Sequence, residues 1–309
     1  MPMVRFISGL LGALLLTVSC ERAPEQSATA PPAGPAAFTQ QVFQVNGVVQ
    51  AVKPREKSVE IRHEAIPDYM PAMTMPFDVK DTNELAGLEP GEPVSFRLTV
   101  TATEGWIDQI RKRELPPGAG GVTTNGPPTT GTFRLVREVQ RLEPGELLPE
   151  YHLVNQFSRP FSTAEFKGQA LAITFLFTRC PYPNFCPRMA NNFAAAQQKL
   201  LRKPDAPTNW HLLTISFDPE FDKPAVLKAY AEGFKYEPAH WTLATGQLID
   251  VTALGEQFGL AFWHDENGGL SHNLRTTVVD AKGRVQRVFE GNEWTSDELV
   301  DELLKAAGQ

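Results

Sequence analysis

A pair of cysteines at a predicted strand-to-helix junction constrains this chain more than any other feature. The apolar run 171–177 predicts a buried strand, and Cys180-Pro181 and then Cys186-Pro187 follow it closely. The amino terminus of a helix lowers the pKa of a thiol placed there. The resulting thiolate is both a nucleophile and a ligand for soft metals. Because the chain has only three cysteines, the pair predicts thiol redox chemistry, soft-metal binding or both.

Strand and helix patterns alternate along the part of the chain that carries the pair, residues 145–309. They predict a β-α-β-α-β-β-α order, which is typical of a thioredoxin-like α/β domain with the cysteines after its first central strand. The predicted elements are strand 171–177, helix 188–201, strand 210–217, helix 224–234, a hairpin of 270–280 and 284–290, and helix 296–307. We expect Ser296 to be the N-cap of the last helix.

A different pattern occupies residues 42–113. Short stretches of alternating apolar and polar residues, separated by turn signals, predict a small all-β barrel or sandwich. The stretches are 42–45, 47–49, 58–61, 73–77, 94–98 and 106–110. Segments 21–41 and 114–144 are rich in Pro with Ala, Ser or Gly, so we interpret them as flexible linkers.

The bulk composition fits two globular domains. The chain has 309 residues, of which 42% are hydrophobic and 21% charged, and this length is enough for about two domains. The net charge of -7 argues against nucleic acid as a partner, because a phosphate backbone attracts basic surfaces.

Residues 1–20 have the pattern of an export signal. Arg5 precedes an apolar stretch, 7–18, which is short for a membrane span. A small residue precedes Cys20 and a Pro/Ala-rich segment follows it, so this region resembles a bacterial lipoprotein signal peptide. That resemblance implies that Cys20 becomes lipidated and anchors the protein on the periplasmic side of a membrane. The alternatives are an ordinary secretory signal or an uncleaved anchor, and each of them exports the cysteine pair to an oxidising compartment.

Residues 145–309 resemble the Sco/SenC family of copper chaperones. The motifs that carry this resemblance are Thr178-Arg179-Cys180-Pro181, Cys186-Pro187, Asp218-Pro219 with Asp222-Lys223-Pro224, and His272. The resemblance implies a thioredoxin-like fold in which Cys180, Cys186 and His272 bind one copper ion, as Cu⁺ or Cu²⁺. It also implies thiol-disulfide activity and a part in building the binuclear copper centre, CuA, of cytochrome c oxidase. Two soft thiolates and an imidazole suit copper in either oxidation state.

Several alternatives stay open at this site. Five residues separate Cys180 from Cys186, a longer interval than the family motif has, and its effect on metal geometry or disulfide formation is open. The pair is alternatively a structural disulfide, which in so short a loop stabilises by about 2–3 kcal/mol. His264 competes with His272 as the imidazole ligand. The acidic residues of segment 218–222 are most simply turn and cap residues.

A methionine cluster marks the all-β module. Three of the six methionines are Met70, Met73 and Met75, and on a strand Met73 and Met75 point to one face. His63 ends the preceding predicted strand, so pairing of the two strands brings one imidazole to two thioethers. That donor set is poor for zinc and good for cuprous ion. The alternative is a Met-rich core strand, because methionine fills irregular gaps in cores.

Residues 42–113 resemble the small CusF-type periplasmic copper-binding barrel. His63 matches the family's histidine, Met73 and Met75 match its two thioether ligands, and Pro71 matches its proline. Met70 stands where the family has a tryptophan, so it is either a third sulfur ligand or a packing residue. The resemblance implies an OB-like barrel that binds Cu⁺.

Together these resemblances predict a copper-binding metallochaperone of the cell envelope. It is expected to capture copper and to deliver it to the CuA site of cytochrome c oxidase, or to prepare the thiols of that site. The expected partners are oxidase subunit II or another copper-accepting protein, a thioredoxin-like reductant, and a membrane reached through the lipid anchor. The acceptor, the copper oxidation state in use, the oligomeric state and contact between the domains stay open.

Three other functions compete with this prediction. One is an envelope thiol-disulfide oxidoreductase, and another is a copper-resistance binding protein. A peroxiredoxin-type peroxidase is disfavoured, because Thr178 lies two residues before Cys180 rather than the three that such chemistry uses.

Overall fold

The computed structural model describes residues 40–113 except 68, 71 and 102, residues 139–264, and residues 270–308. The predicted signal segment and most of both predicted linkers lie outside these residues. The described residues belong to one compact unit, Phe38–Gln309. Among them, no helix combines the length and the apolar character that crossing a membrane requires.

The amino-terminal part is an antiparallel sheet of five strands in the order β3-β2-β1-β4-β5. The strands are β1 (Gln41–Lys53), β2 (Ser58–His63), β3 (Met73–Asp78), β4 (Pro93–Val100) and β5 (Gly105–Lys112). The all-β prediction is confirmed, and the two stretches predicted at 42–45 and 47–49 are one strand. Every second residue of β4 from Val94 to Val100 is buried, because side chains alternate between the two faces of a strand.

The expected all-β sheet is present, but among the described residues it does not close fully into a barrel. The strands β3 and β5 are the two edges of the sheet. Within the part of the chain that the structure describes, one isolated bridge, between Val79 just after β3 and Ile107 in β5, links these edges. The chain leaves β3 after Asp78 and enters a 3₁₀ turn, Thr82–Leu85, that is capped by the Asp81 side chain. The sheet therefore curls without a ladder of hydrogen bonds that would close it.

The carboxy-terminal part is a mixed sheet of seven strands flanked by helices. The strand order is β14-β13-β8-β9-β10-β6-β7, with β8, β9 and β10 parallel at the centre. The strands of this part of the chain are β6 (His152–Asn155), β7 (Pro160–Ser162), β8 (Ala170–Leu176), β9 (Trp210–Ser216), β10 (Trp241–Thr245), β11 (Phe262–His264), β12 (Leu270–His272), β13 (Arg275–Val279) and β14 (Val285–Glu290). Two of them, β11 and β12, lie outside the seven-stranded sheet and pair with each other. The helices are α1 (Cys186–Arg202), α2 (Pro224–Glu232), α3 (Leu248–Gln257) and α4 (Ser296–Ala307).

This architecture confirms the thioredoxin-like α/β prediction. All residues of β8 and β9 are buried, as expected for parallel strands that helices cover on both faces. The predicted hairpin is confirmed for β13 and β14. Its first part is a separate strand, β12, which pairs with β11 in a two-stranded sheet. Asn273 causes this break, because its side chain accepts from the Ala261 amide and donates to the Gly259 carbonyl instead of continuing the strand.

The two parts share one hydrophobic cluster. It contains Met75 and Phe77 from the five-stranded sheet and Tyr182 and Phe185 from the segment between the cysteines. The domains are therefore in direct contact, at the segment that carries the predicted thiol site.

Candidate metal and thiol site

The two cysteines of the pair and His272 converge in space. Their ligand atoms, two Sγ and one imidazole nitrogen, all lie within 4.8 Å of one another. Cys180 lies in the loop after β8, Cys186 is the first residue of α1, and His272 is the last residue of β12. Both cysteines are free thiols. Three residues that are far apart in the chain thus form a compact set of two sulfurs and one nitrogen.

The His272 ring is oriented by its backbone neighbour. Its Nδ1 lies 2.8 Å from the Asn273 carbonyl oxygen, so Nδ1 carries the proton and donates it. The other nitrogen, Nε2, lies 3.7 Å from Cys186 Sγ and has the lone pair that a metal needs. Aromatic rings surround the imidazole, with centroids 4.9–5.8 Å away: Phe177, Phe185 and Phe217.

The two thiols differ in acidity. Burial opposes ionisation of Cys180, but the hydrogen bond from Cys186 and the neighbouring His272 ring outweigh it and hold the pKa of Cys180 well below its ordinary value. Burial and the neighbouring Cys180 raise the pKa of Cys186 well above its ordinary value. Cys186 has no exposed surface, whereas Cys180 is half-buried. The first thiolate to form is therefore the accessible one, and the buried thiol stabilises it.

A buried carboxylate holds the start of the cysteine loop. Asp222, which is fully buried, accepts hydrogen bonds from the Thr178 amide at 3.0 Å, from the Thr178 hydroxyl and from the Ser216 hydroxyl. Beside it, Asp218 accepts from Arg179 at 2.7 Å. These carboxylates hold Thr178 and Arg179, the two residues that precede Cys180. They therefore position the cysteine loop in addition to the turn and cap roles expected from the sequence.

The predicted residues of the amino-terminal site lie on two paired strands. His63 on β2 is directly opposite Met73 on β3, and Ile61 is opposite Met75, so His63, Met73 and Met75 share one face of the sheet. The His63 Nδ1 lies 2.7 Å from the Glu64 carbonyl oxygen, which leaves Nε2 as the basic nitrogen. This is the same arrangement as at His272, and it suits a metal-ligating imidazole.

The remaining predicted site residues have different positions. Met70 lies in a turn where its backbone pairs with Ile66, and its side chain is buried in the hydrophobic cluster. His264 is opposite Leu270 in the β11–β12 pair, but its side chain is not among those described. Cys20 lies outside the described residues.

The sequence reasoning missed a set of polar and aromatic residues that join the domains at this site. Tyr69 donates to the Pro181 carbonyl oxygen at 3.0 Å, and burial followed by the nearby Cys180 raises the Tyr69 pKa. Tyr182 and Asn184, both between the cysteines, bond to Gly105 of the other domain. For Tyr182 and Asn184 the signal in the sequence was their position inside the cysteine motif, and Tyr69 had no such signal.

Comparison with protein families divides the chain in the same place as the fold. The family described as SCO1/SenC matches residues 139–308. The family described as copper binding periplasmic protein CusF matches residues 42–112. Both predicted family resemblances are thereby confirmed.

Individual relatives are distant. A SCO1 protein homolog of Bacillus subtilis (strain 168) is 26% identical over 157 residues, which span 50% of this chain and 79% of that protein. A putative copper-binding protein of Stutzerimonas stutzeri is 32% identical over 117 residues, 37% of this chain and 53% of that protein. Among solved structures, a SCO1/SenC family lipoprotein from Bacillus anthracis str. Ames is 27% identical with a TM-score of 0.47, and the match covers 56% of this chain and 99% of that one.

Proposed function

The chain belongs to the SCO1/SenC family, and from this premise we propose that it is a copper metallochaperone with two copper sites. Cys180, Cys186 and His272 hold copper in the carboxy-terminal domain. The observation that carries the proposal is the approach of their three ligand atoms to within 4.8 Å. Thiolate sulfur and imidazole nitrogen form a donor set that suits copper and excludes hard cations such as magnesium.

Copper loading of this site is coupled to the redox state of the pair. Only reduced, deprotonated cysteines bind a metal, so a disulfide between Cys180 and Cys186 abolishes the site. The lowered pKa of Cys180 makes it the first of the two thiols to lose its proton. Binding of the metal then displaces the proton of Cys186, because a positive ion beside a thiol lowers its pKa.

The amino-terminal domain captures cuprous ion through His63, Met73 and Met75, with Met70 as a further sulfur candidate. The match of residues 42–112 to the CusF family supports this role. Thioethers are soft neutral ligands, so they bind Cu⁺ without any deprotonation. Capture by this domain is therefore less dependent on pH and on reductants than loading of the thiol site.

The destination of the copper is the CuA site of cytochrome c oxidase, on its subunit II or another copper-accepting protein. The chain works in the cell envelope, anchored by lipid at Cys20, and a thioredoxin-like reductant keeps Cys180 and Cys186 reduced. Matches to the SCO1 and CusF families support an envelope location.

Metabolic labelling with a fatty acid tests the anchor, because the label is lost in a Cys20→Ser variant only if Cys20 is the lipidated residue.

Anaerobic copper titration of the reduced protein tests the two sites. We expect two tightly bound equivalents of Cu⁺. The double variant Cys180→Ser/Cys186→Ser should lose one equivalent, and Met73→Leu/Met75→Leu should lose the other. Met189→Leu is a control, because this methionine is buried, as Met75 is, but lies in α1. A cysteine variant that binds as much copper as the parent refutes the thiolate site.

A second candidate function is favoured by the unequal acidity of the two thiols. In a thiol-disulfide oxidoreductase, the Cys180 thiolate attacks a client disulfide, the client's S–S bond breaks, and a mixed disulfide forms. Cys186 then attacks the Cys180 sulfur and releases the second client thiolate, so two electrons pass from the pair to the client. The thioredoxin-like reductant restores the pair.

The His272→Ala variant separates the two functions. A chaperone loses copper affinity strongly without the imidazole. An oxidoreductase slows only as far as the pKa of Cys180 rises without His272, and it recovers its exchange rate with small disulfides at a pH high enough to deprotonate Cys180. We expect loss of about one copper equivalent in the titration. Rapid disulfide exchange with unchanged copper binding would instead identify the oxidoreductase.

A further inference from the structure

The segment between the two cysteines is the surface on which the amino-terminal domain docks. Asn184 donates to the Gly105 carbonyl oxygen at 2.7 Å and accepts from the Gly105 amide at 2.9 Å, so one side chain pairs with both polar groups of one residue. It also donates to Asp78. The Tyr182 hydroxyl donates to the same Gly105 oxygen at 3.0 Å. Tyr182 and Asn184 are both buried, so their bonds to Gly105 are made inside the protein.

Gly105 fits this contact because it has no side chain. A Cβ atom added there would lie 2.5 Å from Cε2 of the Tyr182 ring, which is far inside van der Waals contact. The backbone of one domain and the cysteine segment of the other are thus packed as closely as the atoms allow. The docking geometry is therefore specific.

The docked face is the one that carries the predicted thioether site. Phe77 follows Met73 and Met75 at alternate positions of β3, so the three side chains share a face. The Phe77 ring contacts the Tyr182 ring, with centroids 5.9 Å apart, and the His63 ring, at 5.5 Å. The cysteine segment therefore covers the same face that His63, Met73 and Met75 occupy.

The strands that carry ligands of the two sites, β12 and β3, also approach each other. Cα atoms of β12, which ends at His272, lie within 8 Å of Cα atoms of β3, which begins at Met73. Cys180 and Met73 pack against the same hydrophobic cluster. From the other side, successive ring contacts connect Tyr182 to Phe185 and Phe185 to His272. Residues of both predicted metal sites therefore lie near one interface between the domains.

We propose that this interface is a copper hand-over site, at which cuprous ion passes from His63, Met73 and Met75 to Cys180, Cys186 and His272 while the domains stay docked. This inference rests on the proposed two-site function. Copper keeps its oxidation state throughout. Each copper–thioether bond breaks as a copper–thiolate bond forms, the bond to the His63 imidazole is replaced by one to His272, and the proton of Cys186 leaves to solvent. Because the docked interface holds both ligand sets together, the transfer is intramolecular and needs no free copper ion.

The test measures how fast the thiolate site fills. The reduced full chain is mixed anaerobically with the cuprous complex of a chelator, and the near-ultraviolet thiolate-to-copper absorption is followed by stopped flow. The variants are Met73→Leu/Met75→Leu, Asn184→Ala, and the two combined. Asn209→Ala is the control, because it removes a side chain that bonds to two backbone carbonyls, at Gly168 and Ala307, away from the interface. Equilibrium titration of every variant reports the affinity of each site separately.

Hand-over predicts that the effects are not additive. The methionine variant and Asn184→Ala should each slow thiolate loading about tenfold, because both remove the same intramolecular step, and the combined variant should be no slower. Asn209→Ala should load like the parent. Gly105→Ala, made in the other domain, should reproduce Asn184→Ala and replaces it if that variant folds poorly.

Two results would overturn the inference. Parent-like loading in both Asn184→Ala and Gly105→Ala would show that docking has no part in transfer, and multiplying effects of the methionine and asparagine changes would show independent routes. A parent chain that binds only one equivalent at equilibrium refutes the two-site function itself. That failure is visible in the titration before any rate is measured.

Discussion

The carboxylate of Asp222 illustrates how one buried residue organises the thiol site. It is fully buried and accepts from Thr178 and Ser216, so every one of its bonds is made inside the protein. We expect Asp222→Asn to lower the free energy of unfolding by about 2–3 kcal/mol. The NH₂ group of asparagine cannot accept, so it would face a donor of Thr178 or Ser216 without forming a hydrogen bond. The copper affinity of the thiol site should fall about 10- to 100-fold. Denaturant unfolding and copper titration measure the two effects.

Asp218→Asn is the matched comparison for that prediction. Asp218 pairs with Arg179, whose side chain is 56% exposed, so the ion pair is largely screened by water. The unfolding free energy should change by less than about 1 kcal/mol. Equal losses of unfolding free energy in Asp222→Asn and Asp218→Asn would contradict the view that the buried Asp222 contributes more to stability.

His211 gives the stability a dependence on pH. Burial, and then the neighbouring His240, lower the pKa of His211 from 6.5 to about 4, and its Nε2 lies 2.9 Å from the Thr242 hydroxyl. The folded protein keeps this ring neutral, whereas the unfolded chain takes up a proton as the pH falls below 6.5. The stabilisation present above pH 6.5 is therefore lost as the pH falls towards 4, and it amounts to about 3 kcal/mol.

Urea unfolding at several pH values tests this account of His211. The His211→Gln variant should lose most of the fall in unfolding free energy between pH 6.5 and pH 4, while His152→Gln, at an exposed position, should keep it. Parallel pH profiles for the parent and His211→Gln would contradict it.

At the scale of elements, the cap of helix α4 corrects the sequence prediction by one residue. Thr295, not Ser296, is the N-cap, and it forms a capping box in which its side chain accepts from the Glu298 amide and the Glu298 side chain accepts from the Thr295 amide. We expect Thr295→Ala to lower the free energy of unfolding by about 1 kcal/mol. Ser296→Ala should have a much smaller effect, because its hydroxyl only accepts an exposed bond from Lys199. Thermal unfolding of both variants distinguishes the caps.

The elements that were predicted correctly are those with a strong periodic pattern and clear ends. The strands β8 and β9 are continuous apolar runs, and α1 has a polar and an apolar face. The sequence analysis did not predict β10 or α3, because each element is short and follows a segment in which helix and strand patterns are mixed. It also extended the hairpin into β12, because the bonds of Asn273 to Ala261 and Gly259 depend on a tertiary contact.

The same limit applies to the candidate site. Cys180, Cys186 and His272 were predictable because metal ligands and nucleophiles are rare residue types in a recognisable order. The roles of Asn184 and Gly105 were not predictable, because neither residue has chemistry of its own. Their importance comes only from the backbone of another domain, at a distance of 79 residues along the chain.

At the scale of the whole molecule, the shared hydrophobic cluster makes the two domains thermodynamically dependent. Val49 and Phe96 of the five-stranded sheet belong to the same cluster as Trp241 and Leu303 of the other domain. Domains that bury a common core unfold together, because separation exposes apolar surface on both sides. Calorimetry of the parent should therefore show a single unfolding transition.

Gly105→Ala should uncouple the domains. Since the new methyl group would overlap the Tyr182 ring, the contact must open or distort, at a cost of about 1–3 kcal/mol. We expect the single transition to broaden or split, with the five-stranded sheet unfolding first because it is the smaller domain and depends more on the shared core. Gly308→Ala is the control, because a Cβ there meets no atom closer than 3.7 Å. A single, unshifted transition in Gly105→Ala would mean that the contact at Gly105 contributes nothing to the coupling of the two domains.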